Sequence, residues 1–178
     1  MTGHVVLVGL SGSGKSSVGR RLGAQLGRPF HDSDHEIERR AGRAVRDIFE
    51  QDGETSFREL EADVMADLLS LDEPSVIASG GGAVVTESTR KLLYEPEVFV
   101  VWLTASPAFL ASRAAKKTHR PLLDDDAAAA LARLLDERRL WYEAVADITY
   151  DVQPDHEAAP KPHAKDNIAR AIAALVPT

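Results

Sequence analysis

The residues from Gly9 to Ser17, GLSGSGKSS, have the types and the spacing of a loop that binds phosphate groups. Its glycines would let backbone N–H groups converge on phosphate oxygens, and Lys15 would add a mobile positive charge. Ser16 offers a hydroxyl to a hard cation such as Mg²⁺, which takes its remaining ligands from phosphates and water. A glycine-rich turn that binds nothing is the alternative. The complete motif favours nucleotide binding.

A strand and a helix are predicted to position this loop. The segment from His4 to Val8 is apolar and β-branched, which is typical of a strand. After the loop, Val18, Leu22 and Leu26 recur at helical spacing until Gly27 ends the pattern. The positive end of this helix would therefore point toward the same anion as the glycines.

Two carboxylates follow the second predicted strand. The segment from Pro29 to Asp34 predicts a short buried strand whose last residues, Asp32 and Asp34, would point to one side. One carboxylate could lie near a metal through water, and the other could accept a hydrogen bond or a proton from an acceptor hydroxyl. Asp34 could instead cap a helix that begins at His35. His31 and His35 have the spacing of a helical metal pair, but a strand end carries His31, so no transition-metal site is predicted.

The remaining elements are predicted to alternate between strands and helices. Helices are predicted over 35–41, 44–51, 54–71, 86–94, 106–116, 126–145 and 164–175, strands over 75–79, 98–103 and 147–152, and a polar loop over 153–163. This alternation predicts one α/β domain over residues 1–178, with a parallel sheet of about five strands wrapped by helices on both faces. Ligands gather at the carboxyl ends of such strands. The phosphate loop, the carboxylates and the triple glycine Gly80–Gly82 should therefore meet at one edge.

The composition narrows the class of protein. A net charge of −7 argues against a broad basic surface for nucleic acid. The absence of cysteine excludes disulfides, thiolate zinc sites and a cysteine nucleophile. The N-terminus does not resemble a signal peptide, and no apolar run approaches the roughly 20 residues that cross a bilayer. We therefore expect a cytoplasmic protein without nucleic-acid or membrane partners.

A basic connection precedes the long alanine-rich helix. Arg113, Lys116, Lys117 and Arg120 lie in a segment of about residues 113–126 that could close over phosphates as a mobile lid. A solvated run of charges is the alternative. Arg58 and Arg138, which lie on predicted helices, are by residue type ordinary solvated arginines. The residues alone therefore leave open which arginines bind a ligand.

Six separated motifs resemble those of the shikimate kinase family, over about Val5 to Asp151. They are GLSGSGKSS, FHDSD, DIFEQDGETSFRELE, SGGGAV, HRPLL and the pair Arg138 and Tyr142. The resemblance implies a three-layer P-loop kinase fold with a lid. It also implies transfer of phosphate from ATP to the 3-hydroxyl of shikimate, giving shikimate 3-phosphate and ADP in aromatic amino acid biosynthesis. Mg²⁺ would be the cofactor, shikimate and ATP the only partners, and the protein a monomer.

The resemblance also implies roles for individual residues. Asp34 would act as the base or orienter of the acceptor hydroxyl, while Lys15 and Arg120 would neutralise charge on the moving phosphoryl group. Ser16 would bind Mg²⁺ directly and Asp32 through water. The nucleotide would contact Gly12, Ser13, Gly14, Lys15, Ser16, Ser17, Arg113, Arg120 and Pro154. Shikimate would contact Asp34, Phe49, Phe57, Arg58, Gly80, Gly81, Gly82 and Arg138, mainly within an acceptor-binding region over 32–61, with the two arginines on its carboxylate.

Other functions are compatible with a phosphate loop. The nearest is another small-molecule kinase, such as a gluconate kinase or a nucleoside monophosphate kinase. A nucleotide-dependent switch is disfavoured, because Asn167 is the single asparagine and no Asn-Lys-x-Asp motif can exist. A catalytically silent binding module would bind ATP and shikimate without releasing ADP. The acceptor that supports ADP release distinguishes these functions.

Overall fold

Five parallel strands form the centre of the structure. The structure is a computed structural model, and it describes residues 3–114, 126–159 and 163–177. The strands are β1 (His4–Val8), β2 (Phe30–Asp32), β3 (Val76–Ala78), β4 (Val98–Thr104) and β5 (Ile148–Asp151). They lie in the order β2-β3-β1-β4-β5, and each neighbouring pair is parallel. The predicted five-stranded parallel sheet is confirmed.

Helices connect the strands and flank the sheet. Within the described ranges they are α1 (Lys15–Leu26), α2 (Ser33–Ala41), α3 (Val45–Leu69), α4 (Glu87–Leu93), α5 (Pro107–Ala114), α6 (Ala127–Val145), α7 (Gln153–Ala158) and α8 (His163–Ala173). A short 3₁₀-helix, Ala83–Val85, precedes α4. None of these described helices is both long and apolar enough to span a membrane.

The inner strands are buried because helices cover them. Every residue of β1 is buried, as are the residues of β4 from Phe99 to Leu103, which accounts for the continuous apolar pattern predicted for β4. α1 packs very closely on the sheet, since a Cβ at Gly19 would collide with the ring of Phe30. The phosphate loop is thereby held between a buried strand and a tightly packed helix.

The predicted boundary between β2 and the following helix is wrong, whereas the one predicted at Gly53 is confirmed. β2 ends at Asp32 and α2 begins at Ser33, so Asp34 belongs to a helix and not to a strand. The predicted interruption of the helix at Gly53 is confirmed, because α3 consists of two helical segments that meet at a kink where Gly53 has φ 82° and ψ 172°. Glycine tolerates this positive φ.

The polar loop predicted over 153–163 is also wrong in part. Residues Gln153–Ala158 form α7, with Pro154 in its first turn. Proline is tolerated there because the first N–H groups of a helix have no intrahelical acceptor. Residues 1–2, 115–125, 160–162 and 178 lie outside the described part of the chain. Most of the predicted lid, including Lys116, Lys117 and Arg120, falls among them.

Candidate active site

The loop between β1 and α1 follows a path that requires glycine. Gly9, Gly12 and Gly14 have φ of 137°, 89° and 94°, a region that other residues rarely adopt. A Cβ would also collide with the carbonyl of Leu103 at Gly9 and with that of Leu110 at Gly12. The loop therefore fits closely against β4 and α5, and its glycines are needed for both conformation and space.

The polar residues of the loop surround its backbone. Lys15 begins α1, and its Nζ donates to the carbonyls of Gly9 at 2.6 Å and Leu10 at 3.1 Å. Ser13 is fully buried, and its hydroxyl has no hydrogen-bond partner among the described residues. Ser17 lies half-buried in the first turn of α1. The ammonium group of Lys15 therefore lies over the carbonyls of the loop, and the buried hydroxyl of Ser13 could form a hydrogen bond with a ligand.

Asp32 and Asp34 occupy different positions at the start of α2. Asp32 is the N-cap, and its Oδ1 accepts from the N–H groups of Asp34 at 3.1 Å and His35 at 3.5 Å. The interpretation of Asp34 as a cap is therefore wrong, because Asp32 has that role. Both carboxylates nevertheless reach one pocket. Its lining comprises Ser11, Gly12, Gly14, Lys15, Ser16, Asp32, Asp34, Ser79, Gly81 and Ala114.

The glycine segment Gly80–Gly82 follows β3 and lies between the phosphate loop and α3. A Cβ on its first glycine would collide with the carboxylate of Glu61 and lie 2.9 Å from Oδ1 of Asp34. A Cβ on its second glycine would lie 3.6 Å from backbone atoms of the phosphate loop, and one on its third would collide with the guanidinium of Arg58. Glycine at the first and third positions therefore lets Glu61 and Arg58 approach the segment as closely as they do.

Arg58 is held on one side of the glycine segment by α3. Its NH1 donates to Oε2 of Glu61 at 2.6 Å, and its side chain is 15% exposed. The guanidinium carbon lies 5.6 Å from the ring centre of Phe49 and 5.3 Å from that of Phe57. These two rings are 4.3 Å apart. The aromatic pair predicted to wall the substrate thus packs against the arginine predicted to bind it.

Arg138 reaches the same segment from α6. Its NH1 donates to the carbonyl of Gly81 at 3.0 Å, and the hydroxyl of Tyr142 donates to the same oxygen at 2.6 Å. Burial raises the pKa of Tyr142 to about 12, so the hydroxyl keeps its proton at neutral pH. Two guanidinium groups from distant parts of the chain therefore meet at one glycine segment.

Glu61 lies beside Arg58 and the glycine segment, and no separate role is predicted for it from the sequence. Its side chain is 1% exposed, and its Oε1 has no hydrogen-bond partner among the described residues. Burial raises the pKa of Glu61, with a smaller effect of Asp34 in the same direction, while Arg58 and Arg138 lower it. The sequence does contain one indication that Glu61 belongs to the site. Glu61 follows Arg58 by three residues, which places both side chains on one helix face.

Arg113 connects the phosphate loop to α7. Its Nε donates to the carbonyl of Gly12 at 2.9 Å, and its NH1 lies 3.0 Å from Nε2 of His156. Arginine can only donate, so Nε2 accepts and the imidazole carries its proton on Nδ1. The ring of Phe109 contacts both side chains, while Pro154 is exposed at the start of α7. Burial lowers the pKa of Arg113. The sequence did not single out His156.

The described residues contain no group of three or more His, Cys, Asp or Glu side chains that could hold a metal ion. Ser16 and Asp32 do line one pocket beside the phosphate loop. A hard cation that keeps several waters and binds phosphate oxygens needs few protein ligands. This pair therefore fits Mg²⁺ bound together with a nucleotide better than a metal held by the protein alone.

A parallel sheet whose first strand leads into a phosphate loop, with carboxylates in the pocket beside that loop and two arginines on the adjoining glycine segment, is typical of a P-loop kinase that acts on small molecules. A family model described as shikimate kinase matches residues 11–174. The chain belongs to the shikimate kinase family, and it is therefore an enzyme, a phosphotransferase with an alcohol group as acceptor.

Comparisons with individual proteins agree with this membership. The chain is 46% identical over 150 residues to a shikimate kinase of Caulobacter vibrioides, covering 84% of this chain and 72% of that protein. It is 46% identical over 144 residues to a shikimate kinase of Thermobifida fusca, covering 81% and 82%. The solved structure of shikimate kinase from Acinetobacter baumannii in complex with shikimate superposes with a TM-score of 0.86 at 35% identity, covering 98% and 93%.

Proposed function

We propose that this chain transfers the γ-phosphoryl group of ATP to the 3-hydroxyl of shikimate, giving shikimate 3-phosphate and ADP. One observation carries the proposal beyond family membership. Arg58 and Arg138 both contact the glycine segment, and its middle glycine lines the pocket that contains Lys15 and Asp34. A cyclic alcohol with a carboxylate can therefore present its carboxylate to the arginines and a hydroxyl to Asp34.

On the donor side, the phosphate loop binds the triphosphate. Gly12 and Gly14 bring backbone amides close to phosphate oxygens, and the buried hydroxyl of Ser13 has unused hydrogen-bonding capacity for the ligand. Ser16 and Ser17 lie in the first turn of α1, whose N-terminus favours negative charge. Lys15 turns from the loop carbonyls to the β- and γ-phosphates and neutralises the charge that develops during transfer.

On the acceptor side, Asp34 orients the hydroxyl and accepts its proton. Asp32 caps the N-terminus of α2, and Asp34 lines the pocket beside the phosphate loop. Arg58 and Arg138 bind the carboxylate of shikimate by charge-assisted hydrogen bonds. Phe49 and Phe57 limit the space on the α3 side. Positioning and electrostatics supply most of the catalysis in phosphoryl transfer, and these residues provide both.

Mg²⁺ is the proposed cofactor, held by the hydroxyl of Ser16 and, through water, by Asp32. These two residues would hold the ion, which would supply positive charge to offset that of the phosphate oxygens. Arg113 is proposed to pack on the adenine, with Pro154 on the other side of the base. Arg120 is proposed to contact the moving phosphoryl group from a lid over residues 113–126. Its position in the chain, between α5 and α6, supports that role.

We further propose that residues 1–178 form one cytoplasmic, monomeric kinase domain. The sheet and its flanking helices share one continuous buried core, which supports a single folding unit. The acceptor-binding region over 32–61 is then part of this domain, between β2 and the middle of α3.

The test is a coupled ADP-release assay with one acceptor at a time. Shikimate, gluconate and a panel of nucleoside monophosphates are compared at saturating MgATP, with Lys15→Ala as the inactive control. We expect turnover with shikimate and none above background with the other acceptors. Turnover with gluconate or a nucleoside monophosphate alone would refute the proposed function. Binding of shikimate and ATP without ADP release would identify a silent binding module.

A further inference from the structure

The carbonyl groups of the glycine segment are turned toward the protein. The Gly80 carbonyl accepts from the N–H of Ala83 at 3.2 Å, and the Gly82 carbonyl accepts from the N–H of Val85 at 2.9 Å. The Gly81 carbonyl accepts twice, from Arg138 at 3.0 Å and from Tyr142 at 2.6 Å. All three oxygens of this segment are thus satisfied internally.

The N–H groups of the same segment are arranged differently. The N–H of Gly80 donates to the hydroxyl of Ser33 at 2.8 Å, whereas those of Gly81 and Gly82 have no partner among the described residues. Gly82 is buried, and a buried N–H without a partner is rare in proteins. Two donors in this segment therefore remain for a ligand oxygen, and one of the two glycines, Gly81, lines the pocket beside the phosphate loop.

The direction of one of these donors depends on the Gly81 carbonyl. In a trans peptide, the carbonyl of one residue and the N–H of the next point in opposite directions. When the Gly81 carbonyl points to α6, the N–H of Gly82 must point away from α6. Whatever holds that carbonyl therefore aims the N–H of Gly82.

We infer that Tyr142 is a positioning residue for the acceptor: its hydroxyl holds the Gly81 carbonyl on α6 and so aims the amide of Gly82 at the substrate. Its side chain is well suited to this, because it is 1% exposed and its ring stacks on Trp102 with centres 5.3 Å apart and planes 14° apart. The hydroxyl therefore has little freedom to leave the Gly81 carbonyl.

Arg138 alone cannot keep the Gly81 carbonyl in one position. This inference rests on the proposed function, in which Arg138 also binds the carboxylate of shikimate. A guanidinium has five N–H donors, so one can hold Gly81 while others meet the substrate, but any adjustment toward the substrate would pull on the shared carbonyl. Tyr142, one helical turn after Arg138 on α6, keeps the carbonyl fixed while Arg138 adjusts.

The experiment compares Tyr142→Phe with Tyr150→Phe. Tyr150→Phe is the control, because it also removes a hydroxyl hydrogen bond, the 2.9 Å contact with Asp155. Tyr150 lies on β5, away from the glycine segment. For Tyr142→Phe we expect the KM for shikimate to rise about three- to tenfold, the effect of one lost neutral hydrogen bond. The ATP KM and kcat should stay within about twofold, and Tyr150→Phe should leave the shikimate KM unchanged. Calorimetric titration should show the same weakening for shikimate.

A structural role alone would lower the melting temperature and the amount of active enzyme without raising the shikimate KM selectively. Trp102→Phe is the second variant, since it keeps the hydroxyl but shrinks the ring beneath it, and it should raise the shikimate KM to a smaller extent. An unchanged shikimate KM in the folded variants overturns the inference. Failure of the wild-type chain to phosphorylate shikimate would instead overturn the proposed function, so the two failures are distinguishable.

Discussion

Replacing Arg58 with alanine tests the proposed acceptor site most directly. The guanidinium contacts the glycine segment and lies over Phe49 and Phe57, and under the proposed function it binds the carboxylate of shikimate. A hydrogen bond between charged groups contributes about 1.5–3 kcal/mol. Its loss corresponds to roughly a 10- to 150-fold weaker interaction. The shikimate KM should rise within that range, while the ATP KM stays within about twofold.

The same substitution should also destabilise the fold, because it leaves Glu61 without its cation. The Arg58–Glu61 contact is 2.6 Å, and the two side chains are 15% and 1% exposed. Removing one partner of a buried ion pair costs about 3–5 kcal/mol, or roughly 6–20 °C in melting temperature for a chain of this length. Burial already raises the pKa of Glu61. Without Arg58, Glu61 should take up a proton and so avoid a buried negative charge, which should place the loss of stability toward the lower end of this range.

A double variant separates the two effects. Arg58→Ala combined with Glu61→Gln removes the stranded carboxylate, so the melting temperature should recover most of its loss while the shikimate KM remains high. Arg46→Ala is the matched control on α3, because its 2.7 Å pair with Glu50 is half exposed and contributes little. Steady-state ADP release with one substrate varied at a time gives both KM values. A double variant that melts normally and keeps a wild-type shikimate KM would show that Arg58 does not bind the acceptor.

Three further predictions concern other parts of the molecule. Asp34→Asn should lower kcat by about 10²–10⁴-fold with a nearly unchanged melting temperature; near-normal kcat would remove Asp34 from the reaction. His156→Ala should raise the ATP KM about three- to tenfold through loss of the 3.0 Å contact with Arg113, while His156→Gln, which keeps an acceptor, should raise it less; equal values for wild type and both variants would contradict this role. Burial lowers the pKa of His4 below its ordinary 6.5, and this effect outweighs the hydrogen bond with the carbonyl of Leu71, which raises the pKa. The unfolded chain therefore binds the proton more readily than the folded protein does. The contribution of neutral His4 to the free energy of unfolding is present above pH 6.5 and is lost as the pH falls toward the folded pKa. His4→Gln should reduce the fall in melting temperature between about pH 7.5 and pH 5.5, and parallel curves of melting temperature against pH for the two proteins would refute this prediction.

The fold and the phosphate loop were predictable because their signals are local. Apolar runs such as β4 are continuous over several residues, and the motif from Gly9 to Ser17 contains all the residue types of one loop. The glycines at Gly9 and Gly12 are required by a positive φ and by the nearby backbone of β4 and α5. The same local chemistry gives the motif and its conformation, so a short stretch of sequence was enough.

The errors arose where two local signals compete or where contacts are long-range. Asp32 and Asp34 are both good caps by type, and only the backbone shows that α2 begins at Ser33. The contact of Tyr142 with Gly81 joins residues 61 apart, and that of Arg113 with His156 joins residues 43 apart. No periodicity links such positions, so their pairing follows from the packing of α5, α6 and α7 around the sheet and not from any one segment.

The arrangement of these long-range contacts bears on Arg120. The helix before residues 115–125, α5, carries Arg113, which holds the phosphate loop at Gly12. The helix after them, α6, carries Arg138 and Tyr142, which hold the glycine segment at Gly81. The segment that contains Arg120 therefore connects a helix fixed to the nucleotide loop with a helix fixed to the acceptor loop. The role proposed for Arg120, contact with the transferred phosphoryl group, rests on this place in the chain between the two helices.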